Sequence, residues 1–229
     1  MSNRTCIALT ACLVAGLGSA ASVADPRPSI VLIVADDLGF SDVGCYGGEI
    51  RTPNLDRLAA GGLRYTQFYN SAKCHTTRAS LMAGLYPHQT GCELPLEARV
   101  TRDNSRRVRH SGISIAAVLQ DAGYATLASG KWHAGGRPTS RGFDHFFGLP
   151  GGACSYFTPA KVLQRDDARV TFSTDEEFYF TDVITDEAVE NLTEHFESDS
   201  ERPFFLYIAY TAPHWPMQAH DEDIAPVSY

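Results

Sequence analysis

Four short segments of the sequence hold residue types that can bind ions or attack a substrate. Asp36 and Asp37 are adjacent carboxylates, the kind of oxygen ligand that a hard cation such as Ca²⁺ or Mg²⁺ prefers. Cys74 is a candidate nucleophile, and Arg78 follows it with a guanidinium suited to an oxyanion. The other two segments are Gly130-Lys131-Trp132-His133 and Ala212-Pro213-His214-Trp215-Pro216. Taken singly, each segment also has a plainer explanation: a helix cap, a buried free cysteine, a surface lysine or a rigid proline turn.

Local spacing adds detail to the second and third segments. Thr76 or Thr77 is expected to cap a helix whose first N–H groups and positive dipole end face an anion. Cys74 and Arg78 lie closer together than in the familiar cysteine phosphatase loop, so that chemistry is disfavoured. Lys131 and His133 are two residues apart, and in an extended segment they point the same way and can hold one anionic group.

Alternating strand and helix patterns predict the elements that position these segments. Strands are predicted at 29–34 (buried on both faces), 63–69, 125–128 and 204–210, and helices from Thr52-Pro53, at 79–85, after Ser114 and at 185–196. This alternation indicates an α/β fold: a mainly parallel sheet with helices on both faces. In such sheets, functional residues collect beyond the carboxyl ends of the strands. The stretch 134–178 is predicted to be an irregular excursion from the sheet.

Composition excludes several classes of protein. The chain has 229 residues, of which 44% are hydrophobic and 20% charged, which is ordinary globular composition. The length suggests one domain, or one plus part of another. The net charge of −8 argues against a protein that coats nucleic acid or an anionic membrane. An arginine run (Arg99, Arg102, Arg106, Arg107, Arg109) could meet a polyanionic substrate, but a solvated loop is the favoured interpretation.

The first 24 residues are typical of a secretory signal peptide. Arg4 precedes an apolar stretch, and Ser22-Val23-Ala24 fits a cleavage site, so residues 25–229 are expected to form the exported, periplasmic or secreted protein. The apolar stretch is too short for a secure membrane span. A second interpretation takes Leu9-Thr10-Ala11-Cys12 as a lipoprotein box with an acylated Cys12.

Together, the segments resemble a family. The order Asp-Asp, Thr-Pro-Asn-Leu-Asp-Arg-Leu-Ala, Cys-x-x-x-Arg with Leu-Tyr-Pro-His-Gln, Gly-Lys-Trp-His and Ala-Pro-His-Trp-Pro resembles a type I sulfatase, and most of all the bacterial arylsulfatases. The resemblance runs from about Pro28 to about Ile224 and implies an α/β fold similar to that of alkaline phosphatase. The implied reaction is hydrolysis of a small-molecule or saccharide sulfate ester.

The resemblance also implies a nucleophile and a cofactor. Asp36 and Asp37 match metal-binding carboxylates, usually for Ca²⁺ and less often for Mg²⁺. Cys74 matches the cysteine that a formylglycine-generating or other sulfatase-maturing enzyme oxidises to Cα-formylglycine, which then also binds the metal. One hydroxyl of the hydrated aldehyde attacks sulfur, and the other then expels sulfate.

Four further roles follow from the same match. Arg78 corresponds to the residue that steadies the modified side chain. Lys131 and His214 correspond to ligands of the sulfate oxygens, and His214 could help to protonate the leaving oxygen. His133 corresponds to the group that assists hemiacetal breakdown.

The sequence departs from the family pattern in two places. Thr76 stands where the modification motif usually has Pro or Ala, which predicts poor conversion of Cys74. No segment after His214 matches the family's later Asp, Asn and Lys, so 25–229 is expected to be the N-terminal part of a truncated catalytic domain. Little or no sulfatase turnover is expected, even if Cys74 is converted. The alternatives are an inactive or weakly anion-binding fragment, and a phosphate-ester hydrolase on the same fold.

Overall fold

The computed structural model describes residues 27–91, 112–159, 162–172, 178–198 and 201–224. The expected signal peptide, Cys12 and the arginine run at 99–109 lie outside the described residues. The strands within them are β1 (Ile30–Asp36), β2 (Ala125–Lys131), β3 (His145–Leu149), β4 (Gln164–Arg165), β5 (Ala168–Arg169) and β6 (Phe204–Pro213). They form one sheet in the order β1-β6-β2-β3-β4-β5. The first four strands in this order are parallel, and β4 and β5 continue the sheet in antiparallel fashion.

Helices flank both faces of the sheet. They are α1 (Pro53–Gly61), α2 (Cys74–Ala83), α3 (Pro87–Thr90), α4 (Ile115–Asp121), α5 (Phe180–Glu197) and α6 (Asp221–Ile224). On one face, Met82 of α2 and Ala116 of α4 pack with Phe205 and Tyr207. On the other face, Ala188 of α5 packs with Leu127 and Leu206. The predicted α/β class with a mainly parallel sheet is therefore confirmed.

Two of the predicted helix starts have the expected chemistry. Pro53 is the first residue of α1, where its missing N–H costs nothing because that group has no partner in a helix. Ser114 caps α4 and accepts a hydrogen bond from the Ala117 N–H at 3.1 Å. Helix α5 starts at Phe180, five residues before the predicted start at 185, and Asp182 is the acidic residue in its first turn.

The prediction that strand 29–34 is buried on both faces is wrong. Strand β1 lies at the sheet edge, with Val31 51% exposed and Ile33 57% exposed on one face. Helix α5, which covers that face of the sheet, packs against β2, β3 and β6. An apolar run therefore marks a strand here but does not show that both faces are covered.

Two other strand predictions need correction. Segment 63–69 forms no strand, and Leu63, Phe68 and Tyr69 are highly exposed, because no neighbouring strand pairs with the segment in the described part of the chain. Stretch 134–178 is not wholly irregular, since it contains β3, which pairs in parallel with β2. The stretch is rich in glycine, aromatic and charged residues, which is why it was predicted to be irregular. Gly148 adopts φ 145° and lies beside Gly130 within the sheet.

None of the helices among the described residues is long and apolar enough to cross a membrane.

Candidate active site

Three neighbouring parallel strands deliver polar residues to one edge of the sheet. Strand β6 lies between β1 and β2, so the carboxyl ends of all three strands meet. Asp36 is the last residue of β1, Lys131 the last of β2, and His214 follows β6 directly. Strand β2 extends through Lys131, three residues beyond the predicted strand. The strand-end rule therefore placed these residues correctly relative to the sheet.

The N-terminus of α2 lies at the same edge. The helix begins at Cys74, and its N-cap is Lys73. The prediction that Thr76 or Thr77 caps the helix is therefore wrong. The Thr76 hydroxyl instead donates to the carbonyls of Lys73, at 2.9 Å, and Ser71, at 3.1 Å. As the first residue of the helix, Cys74 lies where N–H groups lack helical partners and the dipole favours negative charge.

A buried network of two cations and one carboxylate lies at this edge. Both oxygens of Asp36 are used: Lys131 Nζ contacts Oδ2, and Arg78 Nη2 lies 3.1 Å from Oδ1. The side chains of all three residues are almost completely buried. Because one carboxylate balances only one of the two cations, the network carries a net charge of about +1, which suits an anionic ligand.

Arg78 fixes the network to the sheet. Its Nη1 donates to the Lys131 carbonyl at 2.7 Å and to the Tyr207 hydroxyl at 3.1 Å. Burial acts to lower the pKa of Arg78, but Tyr207 and Asp36 outweigh it and raise the pKa above its ordinary value. The guanidinium is therefore a permanent charge held in one orientation.

Cys74 faces His133. Its Sγ lies 3.4 Å from His133 Nδ1, and the His75 ring lies 5.5 Å from the His133 ring, centroid to centroid. His133 adopts φ 46°, so the segment after β2 is not extended as predicted, although Lys131 and His133 still reach the same site. Burial, followed by the charges of Lys131, His75 and Arg78, lowers the pKa of His133 to about 4, against a smaller opposing effect of Asp36. The imidazole is therefore neutral at neutral pH and can accept a proton.

Asp37 and His214 form the outer part of the site. Asp37 adopts φ 66°, and its side chain is 60% exposed. His214 Nε2 lies 3.8 Å from Asp37 Oδ2. His214 thus reaches the site through Asp37, while the thiol of Cys74 pairs with His133. A pocket of about 140 Å³ opens at this edge; among its lining residues are Asp36, Asp37, Asn70, Lys73, Cys74, Thr77 and Arg78.

Asp36 and Asp37 are of the ligand type that a hard cation prefers, although both oxygens of Asp36 contact Lys131 and Arg78 here. Asp36 and Asp37 both line the pocket, and carboxylate oxygens are what Ca²⁺ and Mg²⁺ prefer. Ca²⁺ takes roughly six to eight oxygens, more than two aspartates supply. Within the ranges that the structure describes, no group of three or more His, Cys, Asp or Glu side chains could hold a metal ion.

Comparison with known proteins identifies the family. A family model described as Sulfatase matches residues 28–227. The chain belongs to the sulfatase family. An arylsulfatase of Klebsiella aerogenes is 34% identical over 97% of this chain and 50% of that protein. Human arylsulfatase A is 41% identical over 60% of this chain and 28% of its own length.

Solved sulfatase-like structures share the fold. The structure of Ps i-CgsB in complex with k-i-k-neocarrahexaose matches with a TM-score of 0.75 and 35% identity, over 89% of this chain and 49% of that one. BT4656, in complex with its substrate D-Glucosamine-2-N, 6-O-disulfate, matches with a TM-score of 0.66 and 31% identity, over 82% of this chain and 35% of that one. The chain thus spans about half the length, or less, of these sulfatases. Members of the family generally use a formylglycine and a divalent metal.

Sequence reasoning missed two residues that the structure places at this edge. Tyr207 lies within an apolar strand, and its pattern indicates a core residue; only its contact with Arg78 shows a polar role. Tyr156 lies in the stretch predicted to be irregular, and its hydroxyl reaches the carbonyl of His214 at 2.6 Å. Nothing in the local sequence of either residue signals such a contact.

Proposed function

We propose that this sulfatase-family chain hydrolyses sulfate esters through a formylglycine made from Cys74. The observation that carries the proposal is the buried network of Arg78, Lys131 and Asp36, with its net positive charge, at the sheet edge where Cys74 begins α2. A tetrahedral dianion or monoanion is the ligand for which fixed cations and a helix N-terminus are suited. The family match supports the choice of sulfate.

The cationic side chains provide charge stabilisation. Lys131 and Arg78 are already ordered by Asp36, so they need little reorganisation as negative charge develops on the transferred group. Arg78 steadies the side chain at position 74, and Lys131 contacts a sulfate oxygen. Asp36 and Asp37 would hold the divalent cation, for which we propose Ca²⁺ ahead of Mg²⁺, and Asp36 would then exchange a contact with Lys131 or Arg78 for the cation. The cation would supply Lewis-acid stabilisation.

Two histidines divide the proton transfers between them. The hydrated formylglycine supplies two hydroxyls, one for attack on sulfur and one for release of sulfate. His133, neutral because its pKa is about 4, accepts the proton of the second hydroxyl from its position beside residue 74. His214 contacts a sulfate oxygen and donates a proton to the leaving alcohol oxygen.

The proposal includes the substrate class, maturation and location. BT4656 was solved with its substrate D-Glucosamine-2-N, 6-O-disulfate and Ps i-CgsB with k-i-k-neocarrahexaose, which supports a saccharide sulfate ester for this chain. The arylsulfatase relatives support an aryl ester as the assay substrate. A sulfatase-maturing enzyme is the proposed partner. We also propose that 1–24 is an export signal, that 25–229 is the N-terminal part of the catalytic domain, and that the protein is periplasmic or secreted.

The test is turnover that depends on residue 74. The purified protein is assayed with an aryl sulfate and a saccharide sulfate, with Ca²⁺ and with a chelator, after mass spectrometry has established the state of Cys74. We expect hydrolysis, even if slow, and we expect Cys74→Ala to abolish it. Cys45→Ala should retain the activity, because Cys45 does not line the pocket. Turnover that survives Cys74→Ala would contradict the proposal. A preference for the matched phosphate ester would assign the site to phosphate instead.

A further inference from the structure

We infer that Tyr156 is the positioning residue for His214: its buried hydroxyl holds the turn that carries the histidine. The inference rests on the proposed function, because it concerns how that function's proton donor is held. Tyr156 is not part of any segment whose residue types suggested chemistry, and it lies 58 residues from His214 in sequence.

One phenol spans the turn after β6. The Tyr156 hydroxyl lies 2.8 Å from the Thr211 carbonyl and 2.6 Å from the His214 carbonyl. A hydroxyl has one proton, so it is shared between two acceptors on either side of Ala212-Pro213. The His214 N–H donates to the Thr211 carbonyl at 3.0 Å and closes the same turn from within. Both ends of the turn are therefore tied to a single buried atom.

Other contacts hold the residues that follow His214. The Tyr156 N–H donates to Gln218 Oε1 at 2.7 Å, and the Tyr179 hydroxyl donates to the Gln218 carbonyl at 3.0 Å. These contacts hold the segment four residues beyond His214. Tyr179 thus secures the far end, whereas the Tyr156 hydroxyl acts on the histidine itself.

The orientation of the imidazole follows from the same turn. His214 Nδ1 contacts the Trp215 carbonyl, and a carbonyl can only accept, so Nδ1 carries a proton here. As proton donor, the ring must therefore be the imidazolium, which has its second proton on Nε2. Nε2 is left to face the site beside Asp37. A shift in the His214 backbone would therefore move the one nitrogen available for proton transfer.

The Tyr156 hydroxyl remains protonated and buried, so it can donate under all assay conditions. Burial raises the pKa of Tyr156 to about 12, so the phenol remains a donor at any pH at which the protein is assayed. Its side chain is almost completely buried and packs beside Tyr179. Removing only the oxygen leaves the ring packing in place. It takes the phenol donor from the His214 carbonyl and leaves the Thr211 carbonyl with the His214 N–H.

The experiment compares leaving groups. A proton donor matters for an ester with a poor leaving group, such as an alkyl or sugar sulfate, and little for 4-nitrophenyl sulfate, whose alcohol leaves as a stabilised anion. We expect Tyr156→Phe to lower kcat on the poor leaving group about tenfold more than on 4-nitrophenyl sulfate, with KM less affected. Tyr179→Phe, the matched control, should leave the ratio of the two rates unchanged. Incorporation of 4-aminophenylalanine at 156, which restores an N–H donor, should restore the ratio.

A second measurement does not depend on catalysis. Amide hydrogen exchange by NMR should show that the His214 N–H loses protection in Tyr156→Phe and keeps it in Tyr179→Phe. Equal losses on both esters in Tyr156→Phe, or an unchanged His214 exchange rate, would overturn the inference. If the wild type hydrolyses neither ester, the proposed function fails, while the exchange result still decides whether Tyr156 holds the turn.

Discussion

At Arg78, one guanidinium links four parts of the fold. The residue belongs to α2, pairs with Asp36 at the end of β1, donates to Lys131 at the end of β2 and contacts Tyr207 in β6. Lysine could supply the charge but not this set of directed donors, because its ammonium is a point charge on a flexible stem. The shape of the guanidinium, as well as its charge, thus fixes the cationic side of the site.

Thr76 is where maturation of the site can be tested. We expect Cys74 of the wild type to be converted poorly, and Thr76→Pro to raise the converted fraction. The helix tolerates proline there, since Thr76 lies in the first turn of α2, where an N–H has no helical partner. Conversion is read from the mass of the peptide containing Cys74, which falls by roughly 18 Da when sulfur and two hydrogens are replaced by oxygen.

The control for that experiment is Thr77→Ala. Thr77 is the next residue of the same turn, and its hydroxyl accepts a hydrogen bond from the Ser71 N–H at 3.1 Å. It should not change the yield of conversion. Near-complete conversion of the wild-type peptide would show that Thr76 does not impede the maturing enzyme.

His133 predicts a pH dependence of stability. Its pKa is about 4 in the folded protein and near 6.5 when unperturbed, so protonation favours the unfolded chain. The contribution of the neutral ring is present above about pH 6.5 and is lost as the pH falls towards 4. In denaturant titrations at pH 7.5 and 4.5, the wild type should therefore lose more free energy of unfolding than His133→Asn does. His145→Asn, at an exposed histidine, should track the wild type; a His133→Asn variant that does the same would refute the prediction.

Among the elements, β2 shows how a strand end aims a side chain. Gly130 adopts φ 107° and precedes Lys131, while Gly148 of β3 lies directly opposite with φ 145°. A Cβ on Gly130 would overlap the carbonyl of Ala209 on β6. Only glycine fits here, because L side chains avoid this backbone region and the neighbouring backbone leaves no room.

Gly130→Ala should therefore destabilise the fold and displace Lys131. We expect the free energy of unfolding to fall by about 3 kcal/mol, from backbone strain and the overlap with Ala209. Gly151→Ala is the control, since a Cβ there meets no atom within 4 Å and should change stability little. Chemical denaturation of both variants measures the difference. Equal stabilities would mean that the strands can separate at Gly130 without cost.

The sequence was sufficient for strands β1, β2 and β6, for several helices, and for the edge at which the polar segments meet. Pro53 and Ser114 mark helix starts by local chemistry, and the β2 and β6 runs are apolar enough to mark buried strands. It was not sufficient for β3, which lies in a stretch rich in glycine, aromatic and charged residues, or for segment 63–69, whose apolar pattern finds no partner strand. Pairing depends on distant residues, so local pattern alone cannot decide it.

For the site, residue types indicated which side chains lie at the strand ends, but not which of those side chains contact one another. That His133 pairs with Cys74 while His214 pairs with Asp37 depends on the positive φ of His133 and on the turn held by Tyr156. These features are set by tertiary contacts across 50 or more residues. The spacing of residues within the sequence motifs does not predict these features.

For the whole molecule, the distribution of charge separates the site from the surface. The chain carries a net charge of −8, yet the buried network at the site is cationic. Long-range attraction of an anionic ester is therefore weak, and recognition depends on short-range contact with Arg78 and Lys131. This agrees with a discrete ester group as ligand and not with an extended polyanion bound along the surface.

The open face of β1 predicts self-association. Val31 and Ile33 are more than half exposed on an edge strand, whose outer side has no paired strand among the residues that the structure describes. Apolar surface next to an unpaired edge is a template for contact between chains. We expect the purified chain to form dimers or larger species in sedimentation velocity, and the double variant Val31→Lys, Ile33→Lys to shift it towards monomer.

Val118→Lys is the matched control, because Val118 is 54% exposed but lies on α4, on the other side of the sheet. If the control dissociates the chains as well as the double variant does, added charge and not the β1 face controls association. If the double variant stays associated, the contact lies elsewhere.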